Sequence, residues 1–286
     1  MKMFFDIIRG KGGRIMLCDI LRNEKIEYFA YVPFDACRPG NTRLYSQTPE
    51  DSFAVFMLFP YYVENTAPGL SKFSAVYDYH GFAKALYEKC EKYLCEKYPM
   101  RFSRGYTDHS PFAEVDGACK AGLGVIGRNS LLINEKYASF VCIGELVTTL
   151  TKEELETEGI SCGPLTLSYC EDCGACIKAC PAHCCGKSNR EGCISAVTQK
   201  KHALTHEEEQ AILLSGSVWG CDVCALACPH LTPVETPIPW FRESAIRENA
   251  PAVIKDMDEE TFKKYPFSWR KREIILRNCE ILKEKL

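Results

Sequence analysis

The apolar positions change their period along the chain, and each change marks an element. Residues 26–34 and 52–63 are dense in β-branched and aromatic side chains and predict strands. Between 78 and 97, Phe82, Leu86, Cys90, Tyr93 and Leu94 recur at helical spacing and predict a helix. Ser110-Pro111 reads as an N-cap followed by proline at the first helical position, so a helix is expected to start there and to stop near Gly122. Gly122, Gly124 and Gly127 then read as a helix stop and a tight turn. Two strands, 131–134 and 139–149, are expected next, joined by a short polar turn. Residues 151–159 are acidic and predict a linker or surface helix. After the irregular stretch marked by Pro233, Pro237 and Pro239, the pattern from Asp258 onward is helical again.

The longest apolar candidate, Ser52 to Val63, is too short to span a bilayer, and the start Met1-Lys2-Met3-Phe4-Phe5-Asp6 has no apolar core or cleavage site of a signal peptide. A cytoplasmic protein without membrane contact is expected. That placement decides how the 18 cysteines are read. In a reducing compartment, clustered cysteines are metal ligands more often than disulfides. A net charge of −3 excludes a global positive field of the kind that draws in nucleic acid, but leaves a local basic face open.

The sharpest chemical signal is Cys170-x2-Cys173-x2-Cys176-x3-Cys180-Pro181, the spacing of bacterial ferredoxins, in which the fourth cysteine serves the other cluster. A second copy, Cys221-x2-Cys224-x3-Cys228-Pro229, lacks one ligand, and Cys193 is the replacement. The crossed rule gives Cys170, Cys173, Cys176 and Cys228 to one [4Fe–4S] cluster. It gives Cys180, Cys193, Cys221 and Cys224 to the other. Zinc fits poorly, because its sites show two cysteine pairs separated by a long loop. The remaining ten cysteines have no ligand spacing and read as small buried hydrophobes; Cys184 and Cys185 lie close enough to a cluster for redox activity. His202 and His206 have i, i+4 spacing but read as solvated.

Two clusters form a short wire, and about 160 residues of α/β pattern precede it. Several ordered motifs bring a resemblance into view: Asp78-Tyr79-His80, residues 106–111, residues 121–133, Gly144-Glu145-Leu146, Cys193-Ile194-Ser195, Gly220-Cys221-Asp222-Val223-Cys224 and Leu276-Arg277-Asn278. Together with the crossed cysteines, they make the chain from about Phe53 onward resemble the epoxyqueuosine reductase family.

The resemblance implies an α/β (α+β) fold: a nitroreductase-like cobalamin-binding domain over 1–160, a bacterial-type 2[4Fe–4S] ferredoxin module over 161–235, and a C-terminal helical return over 236–286. It implies cobalamin beside the two clusters and reduction of epoxyqueuosine to queuosine in tRNA. Asp108 is implied as proton donor; a helix cap is its plain structural alternative, and Ser110 already fills that position. Leu132, Ile143, Ser195, Cys221 and Asp222 are implied as corrin contacts. The implied partners are an external low-potential donor of ferredoxin or flavodoxin type, and tRNA.

The family's Gly-rich, Met- and Tyr-containing upstream segment is not found between Met1 and Asp51. Phe73 stands where Tyr is expected, and residues 265–270 depart from the family's Gly/Ser-Pro-x-x-Arg pattern. The alternatives are therefore the same machinery on another small electrophile or modified nucleoside, or a cobalamin-free electron carrier. Phosphate contacts need basic residues, and the concentration from Lys263 to Lys285 is the candidate, with a solvated helix face as the plain alternative.

Overall fold

The computed structural model describes residues 15–187 and 189–283. The segment 1–14, on which the absence of a signal peptide was read, and Lys285 lie outside them. By packing, the chain forms two compact units. Of the described residues, one comprises those within 15–58, 83–123 and 143–166; the other comprises those within 59–82, 124–142 and 167–283. The three consecutive domains expected from sequence are not how the chain clusters. Segments 59–82 and 124–142 pack with the cysteine module and the C-terminal helices, because their apolar residues share cores with them.

The strands are β1 (Phe29–Pro33), β2 (Phe53–Pro60), β3 (Ser103–Tyr106), β4 (Val125–Ile126), β5 (Leu132–Ile133) and β6 (Val141–Thr148). The first unit is built on a four-stranded sheet of order β1-β2-β6-β3. Antiparallel pairing sets Tyr31 opposite Val55 and Tyr106 opposite Glu145. β2 is buried almost throughout, consistent with its unbroken apolar run. Helix α1 (Tyr79–Lys97) buries Leu86, Cys90 and Leu94, the predicted stripe.

Helix α2 (Glu114–Lys120) begins later than Ser110-Pro111 predicts, with Ala113 at its N-cap. Ser110 Oγ instead accepts the N–H of Phe112 at 3.0 Å and donates to Glu145. The end of α2 is as expected. Gly122 sits at φ +74°, and the bonds Gly122 N–H to Cys119 O and Leu123 N–H to Ala118 O close a Schellman motif.

In the second unit β5 pairs with β4 (Ile126 opposite Leu132), not with β6; the expected turn survives as a single bridge between Asn134 and Ala138. Helices α3 (Ala175–Ala179), α4 (Ile194–Val197) and α5 (Val223–Leu226) carry the cysteine region. Helix α6 (Arg272–Lys283) closes a core of Leu70, Val218, Trp219, Ile254, Phe262, Phe267 and Ile275. Among the described residues no helix is long and apolar enough to cross a membrane.

Candidate iron–sulfur and cofactor site

Helices α3 and α5 pack together and bring the two cysteine copies to one place. Cys176 lies on α3 and Cys224 on α5, while Cys193 is the N-cap of α4. Cys221, Cys193, Cys180 and Cys176 are the thiols that face Cys224. Burial, and then these neighbours, push its thiol up to about 11. Cys221 is raised by burial and, after it, by Asp222, Cys193 and Cys180, against an N–H from Val223. The four sulfurs assigned to one cluster thus sense one another. Cys221 and Cys224 thus resist ionisation by themselves; a cationic iron core would supply the charge that makes them thiolates.

Cys180 is buried, which disfavours its thiolate. Backbone N–H groups of Cys184, Cys185 and Ala182 outweigh that effect and bring its pKa below the usual thiol value. Arg128 N–H donates to Cys170 Sγ at 3.2 Å, and the Arg128 guanidinium pairs with Asp172. Among the described residues, no three His, Cys, Asp or Glu side chains converge tightly enough for a single metal ion. For Cys180, Cys193, Cys221 and Cys224 the assignment to a cluster rests on this grouping and on the cysteine spacing; for Cys170, Cys173, Cys176 and Cys228 it rests on the spacing.

Of the other cysteines, Cys18, Cys37, Cys90, Cys119 and Cys279 are buried as expected, whereas Cys95 and Cys162 are exposed. Cys184 lies 3.8 Å from Cys180, sulfur to sulfur. His202 and His206 are exposed.

A pocket with about 190 Å3 of room for water opens onto Cys221 and Cys224. Tyr61, Phe73, Trp219 and Trp269 form its aromatic walls; Ser195, Asp222 and Leu131 complete much of the lining. Gly220, at φ +76°, is required here, since a Cβ would collide with the Ser71 side chain. Asp222 accepts the Lys72 N–H at 2.6 Å; burial of its carboxyl pushes it up to about 6 against that bond and the Lys72 charge. Burial, then Asp222, hold the Tyr61 hydroxyl well above its ordinary value. Sequence reasoning missed Tyr61 and Lys72. Phe73, where Tyr is expected, stacks edge-on against Tyr61 at 5.6 Å.

The site residues inferred from resemblance are only partly gathered. Ser195, Cys221 and Asp222 line this pocket; Leu132 is buried beside the lining residue Leu131. Ile143 and Asp108 belong to the first unit. Asp108 is exposed, at φ +55°, and lines a separate pocket with Gly40, Asn41, His109, Ser110, Phe112 and Glu114.

Three arginines of the basic tail are committed to internal bonds, whereas Lys263, Lys264 and Lys271 are exposed. Arg270 Nε donates to Gln199 O at 3.0 Å, and Arg277 Nη1 donates to Lys200 O and His202 O, each at 3.0 Å. Arg272 Nη1 donates to Ile254 O and Met257 O at 2.6 and 2.7 Å.

Comparison with known proteins places this geometry. A family model described as a 4Fe-4S double cluster binding domain matches residues 169–230. An epoxyqueuosine reductase of Leadbetterella byssophila is 31% identical over 248 residues, which is 80% of this chain and 76% of that relative. The chain belongs to the epoxyqueuosine reductase family. Other members match over less: that of Listeria monocytogenes is 32% identical over 54% of this chain and 38% of its own length. For that of Lactococcus garvieae the match is 32% identical over 43% and 33%. The chain therefore spans well under two thirds of these two relatives.

The fold agrees with the family's. The solved epoxyqueuosine reductase of Streptococcus thermophilus superimposes with a TM-score of 0.75 at 20% identity, covering 93% of this chain and 79% of that one. A family member crystallised with a tRNA-Tyr epoxyqueuosine-modified stem loop gives 0.72 at 17% identity, over 93% and 79%.

Proposed function

We propose that this chain is a cobalamin-dependent iron–sulfur reductase that converts epoxyqueuosine to queuosine in tRNA, in the cytoplasm. The observation that carries the reading is the aromatic-walled pocket that opens directly onto Cys221 and Cys224. Its 190 Å3 is below the roughly 300–1,000 Å3 of pockets that enclose a drug-sized ligand. The residues therefore fit an edge of a large flat cofactor rather than the whole of it. Tyr61, Phe73, Trp219 and Trp269 supply planes, and Gly220 supplies close backbone approach. When bound, cobalamin supplies a strongly reducing centre that takes electrons singly.

The eight cysteines Cys170, Cys173, Cys176, Cys228, Cys180, Cys193, Cys221 and Cys224 hold the two clusters in the crossed arrangement. An external donor of ferredoxin or flavodoxin type loads them. The net reaction takes up two electrons and two protons. Both carbon–oxygen bonds of the epoxide break, the carbon–carbon double bond forms, and the oxygen leaves as water. Asp108 is the proton donor, and its exposed carboxyl is within reach of a substrate presented to its pocket.

A second reading, the same machinery acting on another small electrophile or modified nucleoside, is favoured by one observation. Arg270, Arg272 and Arg277 bind carbonyls of their own chain, which leaves the tail's contacts to phosphate to its exposed lysines Lys263, Lys264 and Lys271. Anaerobic titration of the cluster-loaded protein with cobalamin, followed by visible absorption and EPR, tests the cofactor. A stoichiometric cob(II)alamin signal is expected, and absence of binding with both clusters intact refutes the reductase. Turnover of an epoxyqueuosine-containing stem loop then separates the two readings.

A further inference from the structure

We propose that Glu145 is the positioning residue of the Asp108 loop, gripping the chain on both sides of it. This inference rests on the reading of Asp108 as proton donor.

The loop runs from Tyr106, the last residue of β3, to Phe112. It has no regular structure of its own, and Asp108 sits at φ +55°, in the left-handed region. Residues 40 and 41 bond its far half through Asn41 N–H to Ser110 O and Gly40 N–H to Pro111 O, and Glu145 acts on both sides of Asp108. On the Tyr106 side, Glu145 is the direct ladder partner of Tyr106, and the Glu145 N–H donates to Tyr87 Oη at 3.0 Å. The Tyr87 hydroxyl donates in turn to Tyr106 O at 2.7 Å. Gly105 makes room for this, because the Tyr87 ring lies where its Cβ would be.

On the far side the Glu145 side chain takes over. Its Oε2 accepts the hydroxyl of Ser110, whose oxygen accepts the Phe112 N–H at 3.0 Å. One residue therefore holds Tyr106 through its backbone and Ser110 through its carboxyl, with Asp108 between them.

The carboxyl is an unusual choice for a mere filler. Glu145 is fully buried, and among the described residues its Oε1 has no hydrogen-bond partner. Burial pushes it well above the usual carboxylate range, the Ser110 bond opposes that, and Glu114 adds to it. Burial thus favours its neutral form, and glutamine has the same shape and the same acceptor. An apolar side chain of similar size removes only the grip on Ser110.

The test uses the full chain loaded with its clusters, in three variants: Glu145→Gln, Glu145→Leu and Ser110→Ala. Hydrogen exchange of amides 107–112 is measured beside turnover of an epoxyqueuosine-containing stem loop. For Glu145→Leu, loop protection should fall about tenfold, as for loss of one buried hydrogen bond, and kcat should fall with KM little changed. Ser110→Ala should repeat both effects, and decides the matter if Glu145→Leu fails to fold. Glu145→Gln should retain wild-type protection and most of the turnover. Loop protection unchanged in Glu145→Leu and Ser110→Ala overturns the proposal. So does Glu145→Gln behaving as badly as Glu145→Leu, since the acid itself would then be what matters. If the wild-type chain does not turn over the stem loop, the functional reading falls, while the exchange data still decide the clamp.

Discussion

Replacing Asn278 by aspartate should loosen the iron–sulfur module from a position well outside its cysteine motif. Asn278 is completely buried on α6. Its Nδ2 donates to Thr198 O at 2.7 Å and to Val218 O at 2.9 Å, while Oδ1 accepts from Arg277. Thr198 ends α4, whose N-cap is Cys193, and its hydroxyl accepts the Gly220 N–H at 3.1 Å, one residue before Cys221. Asn278 thus ties together the two segments that deliver Cys193 and Cys221. Asn278→Asp keeps the shape of the side chain but leaves two buried carbonyls without donors. Each such loss costs about 1–3 kcal/mol, so roughly 3 kcal/mol in all is a moderate estimate. That is a large share of the ~5–15 kcal/mol of a typical domain. If iron leaves through local opening of these segments, roughly 3 kcal/mol corresponds to about 100-fold faster release. The assay is anaerobic iron transfer to a chelator, followed by loss of the visible cluster absorption. Iron release within about twofold of wild type, with unchanged urea stability, would refute the reasoning.

Three further outcomes are expected. Gly220→Ala should lower cluster content, because the left-handed backbone and the Ser71 side chain both oppose a Cβ; adding Ser71→Gly should recover only the steric part, as judged by iron per chain. Cys193→Ala should reduce iron from about eight to about four atoms per chain, while Cys184→Ala should keep both clusters; the reverse pattern would show that the ligand is misassigned. Glu158 is buried, which favours its neutral form, but Lys97, Tyr98, the Leu17 N–H and Tyr93 outweigh this and lower its pKa. Its contribution is therefore present above the unfolded value of about 4.3 and is lost as pH falls through the lower folded value; Glu158→Gln should flatten that acid limb in urea titrations between about pH 5 and 3.

The elements legible in the sequence were those marked by their own apolar residues, as continuous runs in β1 and β2 and as a helical stripe in α1. β1, β2 and α1 fall within the stretches their apolar residues mark. The cysteine module was legible because its spacing is local in the sequence, and the double-cluster family model matches residues 169–230. What was not legible depends on partners distant in sequence. Ser110-Pro111 has the residues of a helix start, yet the Ser110 hydroxyl is claimed by Phe112 and by Glu145, 35 residues on, and α2 starts at Glu114. Likewise β5 has little intrinsic preference for one neighbour and pairs with β4 across a short turn. One available signal went unused: Glu145 interrupts an otherwise apolar run in β6, and a carboxyl at such a position is buried with a purpose or not tolerated at all.

Glu145 and Asn278 show the same solution in the two units. Each is buried, each bonds a segment next to a candidate site residue, and each does so through side-chain bonds to positions that no helix or ladder satisfies. An apolar residue could fill either space and would bring more favourable burial. It could not choose among the many conformations open to a loop, because apolar contact has no direction. A hydrogen bond does, and burial makes the wrong arrangement costly by leaving a donor or acceptor unpaired. The expected signature follows from that asymmetry. Shape-preserving substitutions that abolish the bond should disturb Asp108 and the Cys193–Cys221 pair more than they disturb the cores around them, so loop exchange and iron release should respond at denaturant concentrations where the sheet and the α6 core are still intact.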